Sequence, residues 1–217
     1  MSIRIYGIAA SRAIRPLWTA TELGLDFEHI NMPYAGGATR TPEFLAINPN
    51  GHIPAVVDVR PEGEVVVWES MACALYLAQV HGRADGADIS PANAQEQAQA
   101  LRWSFWTVTE LERDALTVLM HRMGMSAEQR KPELADAAEG RLKAPLRVLE
   151  QALLDQKSKG QAHLAANRFT VADVCVASVV NWIRPAEALM QAYPAVSDWL
   201  HRCVNRPAHH AARKLGR

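Results

Sequence analysis

Two positions in the sequence place a polar side chain at the expected start of a helix. Ser11 follows the first predicted strand and precedes the first predicted helix, and Glu69 and Ser70 stand where the third predicted helix begins. The ordinary role of such residues is helix capping, or compensation of the helix dipole. A helix N-terminus also offers free N–H groups and a partial positive charge, so the second position is suited to an incoming carboxylate.

A proline-containing segment precedes that second position. NPNGHIPAVVD, residues 48–58, has Pro54 at the start of a predicted strand, and WES, residues 68–70, follows after a hairpin with the turn RPEG. Proline cannot donate to the hydrogen-bond ladder, so its ordinary role at a strand start is to mark the edge of a sheet. The two motifs therefore lie one hairpin apart in the chain.

The elements that must position these residues alternate between strand and helix. Periodicity and turn residues predict, in chain order, a strand (3–7), a helix (12–23), a strand (27–31), a short helix (43–47), two strands (53–59 and 64–67) and a helix (70–80). The first helix carries Ala13, Leu17 and Ala20 on one face. This β-α-β-α-β-β-α order predicts an α/β domain.

The rest of the chain is predicted to be helical. Residues 82–90 lose the periodicity and collect Gly, Asp and Ala, which is typical of an exposed linker. No strand-like alternation reappears in residues 91–217. Further helices are predicted over 132–157, 171–189, 196–204 and 207–215.

Two patterns within this helical part carry specific expectations. Apolar residues three and four apart predict one long buried face, formed by Leu101, Phe105, Val108, Leu111, Ala115 and Val118. FTVAD, residues 169–173, predicts a helix start with Thr170 as the N-cap and Asp173 as its reciprocal partner. Both patterns are structural, and neither predicts catalysis.

Composition and charge exclude several classes of protein. The chain is 49% hydrophobic and 21% charged, which favours a globular protein over a disordered or fibrous one. Its 23 basic and 23 acidic residues give a formal net charge of zero, so the overall charge does not predict binding to nucleic acid or to an anionic membrane. The longest apolar stretch, residues 174–183, falls short of the roughly 20 residues that span a bilayer. We expect no membrane segment.

The cysteines predict a reducing compartment. Cys73, Cys175 and Cys203 are odd in number, lie far apart and show no zinc-ligand spacing. We therefore expect reduced thiols, no metal and a cytoplasmic protein.

The combined motifs resemble a known family. NPNGHIPAVVD followed by WES is similar to the signature of cytosolic glutathione transferases, and SIRIYGIAAS, residues 2–11, resembles the opening of the plant phi-type enzymes. FTVAD resembles the capping motif of their C-terminal domain. The resemblance implies a thioredoxin-like glutathione-binding domain over residues 1–81, a linker over 82–90, and an all-helical domain over 91–217 that contributes a hydrophobic substrate site.

The resemblance also implies roles for particular residues. Pro54 is expected to be cis, and Ile53 to pair its backbone with the cysteinyl part of glutathione as an added strand. Ser70 is expected to bind the γ-glutamyl carboxylate, and Glu69 the γ-glutamyl ammonium. Ser11 corresponds to the catalytic hydroxyl, whose hydrogen bond to the glutathione thiolate lowers the pKa of that thiol.

Several of these assignments have alternatives. The helix after Ser11 is one residue shorter than in the phi-type enzymes, and theta-type or beta-type alignments place the key residue at Ile8 or Arg12 instead. Arg40 and His52 are candidates to reach the glycine carboxylate of glutathione, or else are a solvated loop charge and a polar residue beside a turn.

Two tryptophans are candidates for the second substrate. Trp103 and Trp106 lie three apart and off the predicted apolar face, so they either line the hydrophobic substrate site or pack at an interface. By the resemblance the protein is expected to be a homodimer, with the third and fourth helices of each chain facing the partner.

The function that the resemblance implies is conjugation of glutathione, as cosubstrate, to a hydrophobic electrophile. The alternatives are a glutathione-dependent isomerase or dehalogenase, and a noncatalytic binding protein of the same fold. A thiol–disulfide oxidoreductase is less favoured still, because no cysteine lies near Ser11 in the sequence and Cys73 lies within a predicted helix.

Overall fold

The computed structural model describes residues 2–83 and 85–216. The chain divides into two compact units, one of Met1–Ala92 with Arg206–Arg217 and the other of Asn93–Asn205. The first unit thus includes a segment from the far end of the chain, which the periodicity of the sequence did not indicate. The domain limits at residues 81 and 91 stay a prediction.

The first unit contains a mixed four-stranded sheet in the order β2-β1-β3-β4. The strands are β1 (Ser2–Tyr6), β2 (Glu28–Ile30), β3 (Ala55–Arg60) and β4 (Gly63–Trp68). β1 runs parallel to β2 and antiparallel to β3, and β3 and β4 form the predicted hairpin.

Ten α-helices are found among the described residues. They are α1 (Ile14–Glu22), α2 (Pro42–Ile47), α3 (Ser70–His81), α4 (Ala94–Trp106), α5 (Glu112–Leu119), α6 (Pro132–Ser158), α7 (Val171–Val180), α8 (Glu187–Gln191), α9 (Pro194–Val204) and α10 (Pro207–Ala212). The predicted β-α-β-α-β-β-α order and the all-helical second part are confirmed.

Strand register fixes the end of the sheet at which β1, β3 and β4 meet. Tyr6 pairs with Ala55, and Ala55 pairs with Trp68, so the last residue of β1, the first of β3 and the last of β4 form one row. We call this row the site end of the sheet. The residues next to this row in the chain are Gly7, Pro54 and Glu69, which the fold therefore brings to the site end.

A buried carboxylate links the hairpin to α3. Oδ2 of Asp58, whose side chain is fully buried, accepts hydrogen bonds from the Tyr76 hydroxyl at 2.7 Å and lies 2.7 Å from Nε2 of His81. Burial and the hydrogen bond to Asp58 raise the pKa of Tyr76 to about 12. The carboxylate thus satisfies two polar groups of α3 from within the sheet.

We expect Asp58→Ala to lower the free energy of unfolding by about 2–4 kcal/mol, because it leaves the Tyr76 hydroxyl and His81 without their buried partner. Urea denaturation measures the change. The matched control is Glu64→Ala, which removes an exposed ion pair with Arg4 and should cost about 1 kcal/mol or less. Equal losses in the two variants would contradict the assignment.

The second unit is organised around α7. Every residue of α7 is buried, and the helix begins with the predicted capping box, in which Thr170 and Asp173 satisfy each other's backbone N–H groups. Asp173 also accepts hydrogen bonds from the Leu164 N–H and the Trp199 indole. The helix predicted over 171–189 is interrupted, since α7 ends at Val180 and α8 begins only after Pro185, which cannot continue the hydrogen-bond ladder.

The expectation of one long buried face was wrong in its first half. Leu101, Phe105 and Val108 are 40%, 69% and 45% exposed, whereas the later members of the pattern, Leu111, Ala115 and Val118, are fully buried. The change falls within a π-helical turn over Thr107–Leu111, which contains Val108 and Leu111. Because a π turn holds more residues than an α turn, the two halves of the pattern do not stay on one face.

One further property bears on the class of protein. No helix within residues 2–83 and 85–216 is both long and apolar enough to cross a membrane.

Candidate functional site

The turn between β1 and α1 lies against the segment that precedes β3. Gly7 has a φ of 135°, and a β carbon at this residue would lie 2.5 Å from the Ala13 β carbon and 3.4 Å from the Ile53 β carbon. Only a residue without a side chain permits this approach. The turn that carries Ser11 is thereby held next to Ile53 at the site end of the sheet.

The Ser11 hydroxyl closes a turn within this loop. It donates to the Ile8 carbonyl at 2.7 Å and accepts the Ala13 N–H at 3.1 Å. The expected capping role takes a different form, because α1 begins at Ile14 and the N-cap position belongs to Ala13. Ser11 is partly exposed, so its hydroxyl can turn from the Ile8 carbonyl to an anion that arrives at this turn.

Ile53 and Pro54 lie directly before β3, at the site end of the sheet. Their peptide bond is cis, as the resemblance implied, and both residues are buried. Within the described part of the chain, no backbone hydrogen bond involves the N–H or C=O of Ile53. Ile53 therefore retains one donor and one acceptor that an added peptide strand can use.

Glu69 adopts a strained backbone conformation. It has a φ of 71° and a ψ of 115°, in the region that favours glycine, and its side chain makes no capping hydrogen bond to α3. Such conformations cost about 1–3 kcal/mol and concentrate at functional sites. The exposed carboxylate is held at the start of α3 without serving the helix, which leaves it available to a cationic group.

Ser70 is paired with a buried arginine that the sequence analysis missed. Nη1 of Arg15 donates to the Ser70 hydroxyl oxygen at 2.6 Å, and the two residues are 1% and 4% exposed. Because the Ser70 oxygen accepts this bond, its own proton can point to a carboxylate. The guanidinium also adds positive charge to the start of α3. A single charged residue within the apolar run AIRPLWTA was the available signal, since arginine is rarely buried without a partner.

Arg40 and His52 lie on a loop that is braced from within. The Asn48 amide donates to the His52 carbonyl at 2.6 Å, and the Arg40 guanidinium donates to the Asn50 carbonyl at 3.2 Å. Both candidate side chains are exposed. The Arg40 guanidinium also packs over Gly51, the neighbour of His52, since a β carbon there would lie 2.7 Å from Nη1. Their role toward a carboxylate stays a prediction.

The two candidate tryptophans are in van der Waals contact in the second unit. Their rings lie edge to face with the ring centroids 5.1 Å apart, and Trp103 is 4% exposed. Trp103 lines an open groove of about 580 Å³ whose other residues, among them Gln99 and Arg102, are mainly polar. The predicted part of Trp103 and Trp106 in a hydrophobic substrate site stays a prediction.

The chain matches two family models. They are described as "Glutathione S-transferase, N-terminal domain", over residues 1–79, and "Glutathione S-transferase, C-terminal domain", over residues 112–207. Together they cover most of both units.

The similar proteins include one named as a disulfide-bond oxidoreductase and one named as a glutathione S-transferase. Over 191 residues the chain is 31% identical to the disulfide-bond oxidoreductase YfcG of Escherichia coli (strain K12), covering 86% of this chain and 83% of that protein. Over 215 residues it is 29% identical to glutathione S-transferase 3 of Zea mays, covering 95% and 90%. The structure of Ure2p in complex with glutathione has the same fold, with a TM-score of 0.82 and 21% identity over 98% of this chain and 94% of that one.

We expect Glu69→Gly to keep or raise the free energy of unfolding, by up to about 1 kcal/mol, because glycine adopts a positive φ without strain. The contrasting control is Ala72→Gly, at an exposed position within α3, which should cost about 1 kcal/mol as glycine does inside a helix. Chemical denaturation of both variants checks the sign. A loss of stability in Glu69→Gly as large as in the control would show that the backbone of Glu69 is not strained.

Proposed function

Since the chain belongs to the glutathione S-transferase family, we propose that it binds glutathione at the site end of the sheet and conjugates its thiolate to a hydrophobic electrophile. The observation that carries the proposal is the strand register, which brings the turn of Ser11, the Ile53–Pro54 segment and the start of α3 to one edge. These three segments offer the groups that a γ-glutamyl tripeptide requires.

The backbone and charges of the site suit the γ-glutamyl and cysteinyl parts of the peptide. The γ-glutamyl carboxylate meets the Ser70 hydroxyl and the N-terminus of α3, with the Arg15 charge behind them. The γ-glutamyl ammonium meets the Glu69 carboxylate. The cysteinyl backbone adds to Ile53 as a short strand, and its sulfur then points to the turn that carries Ser11.

Ionisation of the thiol is the chemical step that the site promotes. A free thiol has a pKa of about 8.5, so little of it is thiolate at neutral pH. A hydrogen bond from the Ser11 hydroxyl favours the charged form and lowers that pKa. With an aryl halide, the thiolate sulfur forms a bond to the ring carbon, the carbon–halogen bond breaks, halide leaves, and the thiol proton has already passed to solvent.

A second candidate is reduction of disulfides by glutathione, which the similarity to a disulfide-bond oxidoreductase favours. The three cysteines of this chain are buried, and burial raises the pKa of the Cys73 thiol far above its ordinary range. In this candidate, one glutathione thiolate attacks the disulfide and releases a thiolate, and a second glutathione displaces the other thiol and forms glutathione disulfide. Turnover of an aryl halide against turnover of a small disulfide distinguishes the two reactions.

Other members of the family suggest two further outcomes. An isomerase would release glutathione unchanged, and a dehalogenase would use it to replace a halogen of the substrate. A binding protein would bind glutathione without turnover. Retention on immobilised glutathione tests binding, and turnover assays with a panel of electrophiles then distinguish the enzymes from a binding protein. If the wild-type protein does not bind glutathione, the proposal is wrong.

We expect Ser11→Ala to shift the activity profile to higher pH. Activity rises with pH through the pKa of the bound thiol, and losing one charge-assisted hydrogen bond raises that pKa, so kcat/KM near neutral pH should fall about 10-fold to 100-fold. The dissociation constant for glutathione should change little, because the peptide contacts remain. Stopped-flow absorbance of the thiolate and steady-state kinetics across pH measure both quantities.

The matched control is Tyr6→Phe. Tyr6 lies in β1, is 8% exposed and packs against Phe44, so removal of its hydroxyl should leave the pH profile in place. If the tyrosine variant lost the thiolate and the serine variant kept it, the assignment of Ser11 would be wrong.

We also propose that the protein is a homodimer that covers the exposed apolar residues of α4. Phe105 is 69% exposed at the end of a helix that the family resemblance assigns to the interface. We expect Phe105→Glu to convert the dimer to a monomer in analytical ultracentrifugation, because burying a charge in an apolar interface is costly. Val148→Glu, at a 52% exposed site on α6, should leave the mass unchanged.

A further inference from the structure

Residues 206–216, which we call the return segment, are anchored on α1. The guanidinium of Arg206 makes two hydrogen bonds to the Glu22 carboxylate, at 2.6 and 2.8 Å. The indole of Trp18, which is fully buried, donates to the same carboxylate at 2.9 Å, and its ring lies 4.5 Å from the imidazole of His209. A buried carboxylate with two donors fixes the start of the segment against the helix that follows Ser11.

The end of the return segment reaches the turn between β1 and α1. The Leu215 carbonyl accepts the Ala9 N–H at 3.0 Å. Gly216 has a φ of 66°, and a β carbon there would lie 2.8 Å from the Ile8 side chain and 3.0 Å from the Asn31 amide oxygen. The segment therefore packs against this turn with no room for a larger residue.

Of the two turn residues that the end of the segment contacts, Ile8 bonds directly to Ser11, and Ala9 follows Ile8 in the chain. The Ile8 carbonyl accepts both the Ser11 hydroxyl, at 2.7 Å, and the Ser11 N–H, at 3.0 Å. Ala9 is 2% exposed, so its N–H depends on the Leu215 carbonyl for a partner. Without that bond the turn would expose Ala9 to water or rearrange, because a buried N–H is costly to leave unpaired.

We infer that the return segment positions Ser11 for ionisation of the glutathione thiol, with the Leu215 carbonyl and Gly216 as the positioning groups. The inference rests on the proposed function. Hydrogen-bond stabilisation of a thiolate depends on the place of the donor to within a fraction of an ångström, and such precision comes from the groups that brace the donor. The return segment does not itself contact glutathione or its sulfur, and it acts through the backbone of Ile8 and Ala9.

The first test is deletion of residues 214–217 from the full chain. Hydrogen–deuterium exchange of the segment 7–13 should speed up, because the Ala9 N–H loses its partner. The pKa of bound glutathione should rise by about 0.5–1 unit, which lowers kcat/KM about threefold to tenfold at a pH below that pKa. The dissociation constant of glutathione should stay within about twofold.

A milder variant changes one residue of the return segment and deletes none. Gly216→Ala inserts a methyl group against Ile8 and should move exchange and pH profile in the same direction. Its matched control is Gly24→Ala, since Gly24 has a similar φ of 63° but no atom within 4 Å of the added carbon. The control carries the same backbone strain and should leave the pH profile unchanged.

The outcomes separate the inference from the proposed function. Unchanged exchange of residues 7–13 in both variants overturns the inference, whatever the activity. Faster exchange with an unchanged thiol pKa, or a lower melting temperature alone, also overturns it, because the segment would then be structural. If wild-type protein does not bind or ionise glutathione, the proposed function fails and the inference falls with it.

Discussion

The site depends on the register that aligns Tyr6, Ala55 and Trp68 across three strands. Because β3 runs antiparallel to both neighbours, β1 and β4 end, and β3 begins, at the site end of the sheet. A shift of one residue in either pairing would turn every side chain of a strand to the opposite face. It would also separate Pro54 from Glu69 and from the turn of Ser11.

Packing of buried polar groups keeps that edge in place. Arg15 connects α1 to Ser70 at the start of α3, and Asp58 connects the sheet to the far end of the same helix. α3 is thus fixed at both ends by hydrogen bonds that water cannot easily replace. The strain at Glu69 is tolerated because the strand before it and the helix after it are both held by these contacts.

The helical unit shows how one local change alters the meaning of a pattern. The spacing of Leu101, Phe105 and Val108 is that of a buried face, yet the structure leaves these side chains exposed and buries Trp103 instead. The π turn over Thr107–Leu111, which begins after Trp106, changes the phase of the helix from there on. A pattern of apolar residues therefore does not by itself show that a face is buried within its own chain.

The sequence by itself determined the order of the elements, the capping box at Thr170 and Asp173, and the motifs around Pro54 and Glu69, because turn residues, caps and periodicity act over a few neighbouring positions. Only the tertiary structure decided that Arg15 binds Ser70, that the Leu215 carbonyl accepts the Ala9 N–H, and that residues 206–216 pack on α1. Each of these contacts joins groups whose partner is chosen by the path of the backbone in space. A buried arginine or a buried loop N–H needs a partner, but long-range packing selects which one.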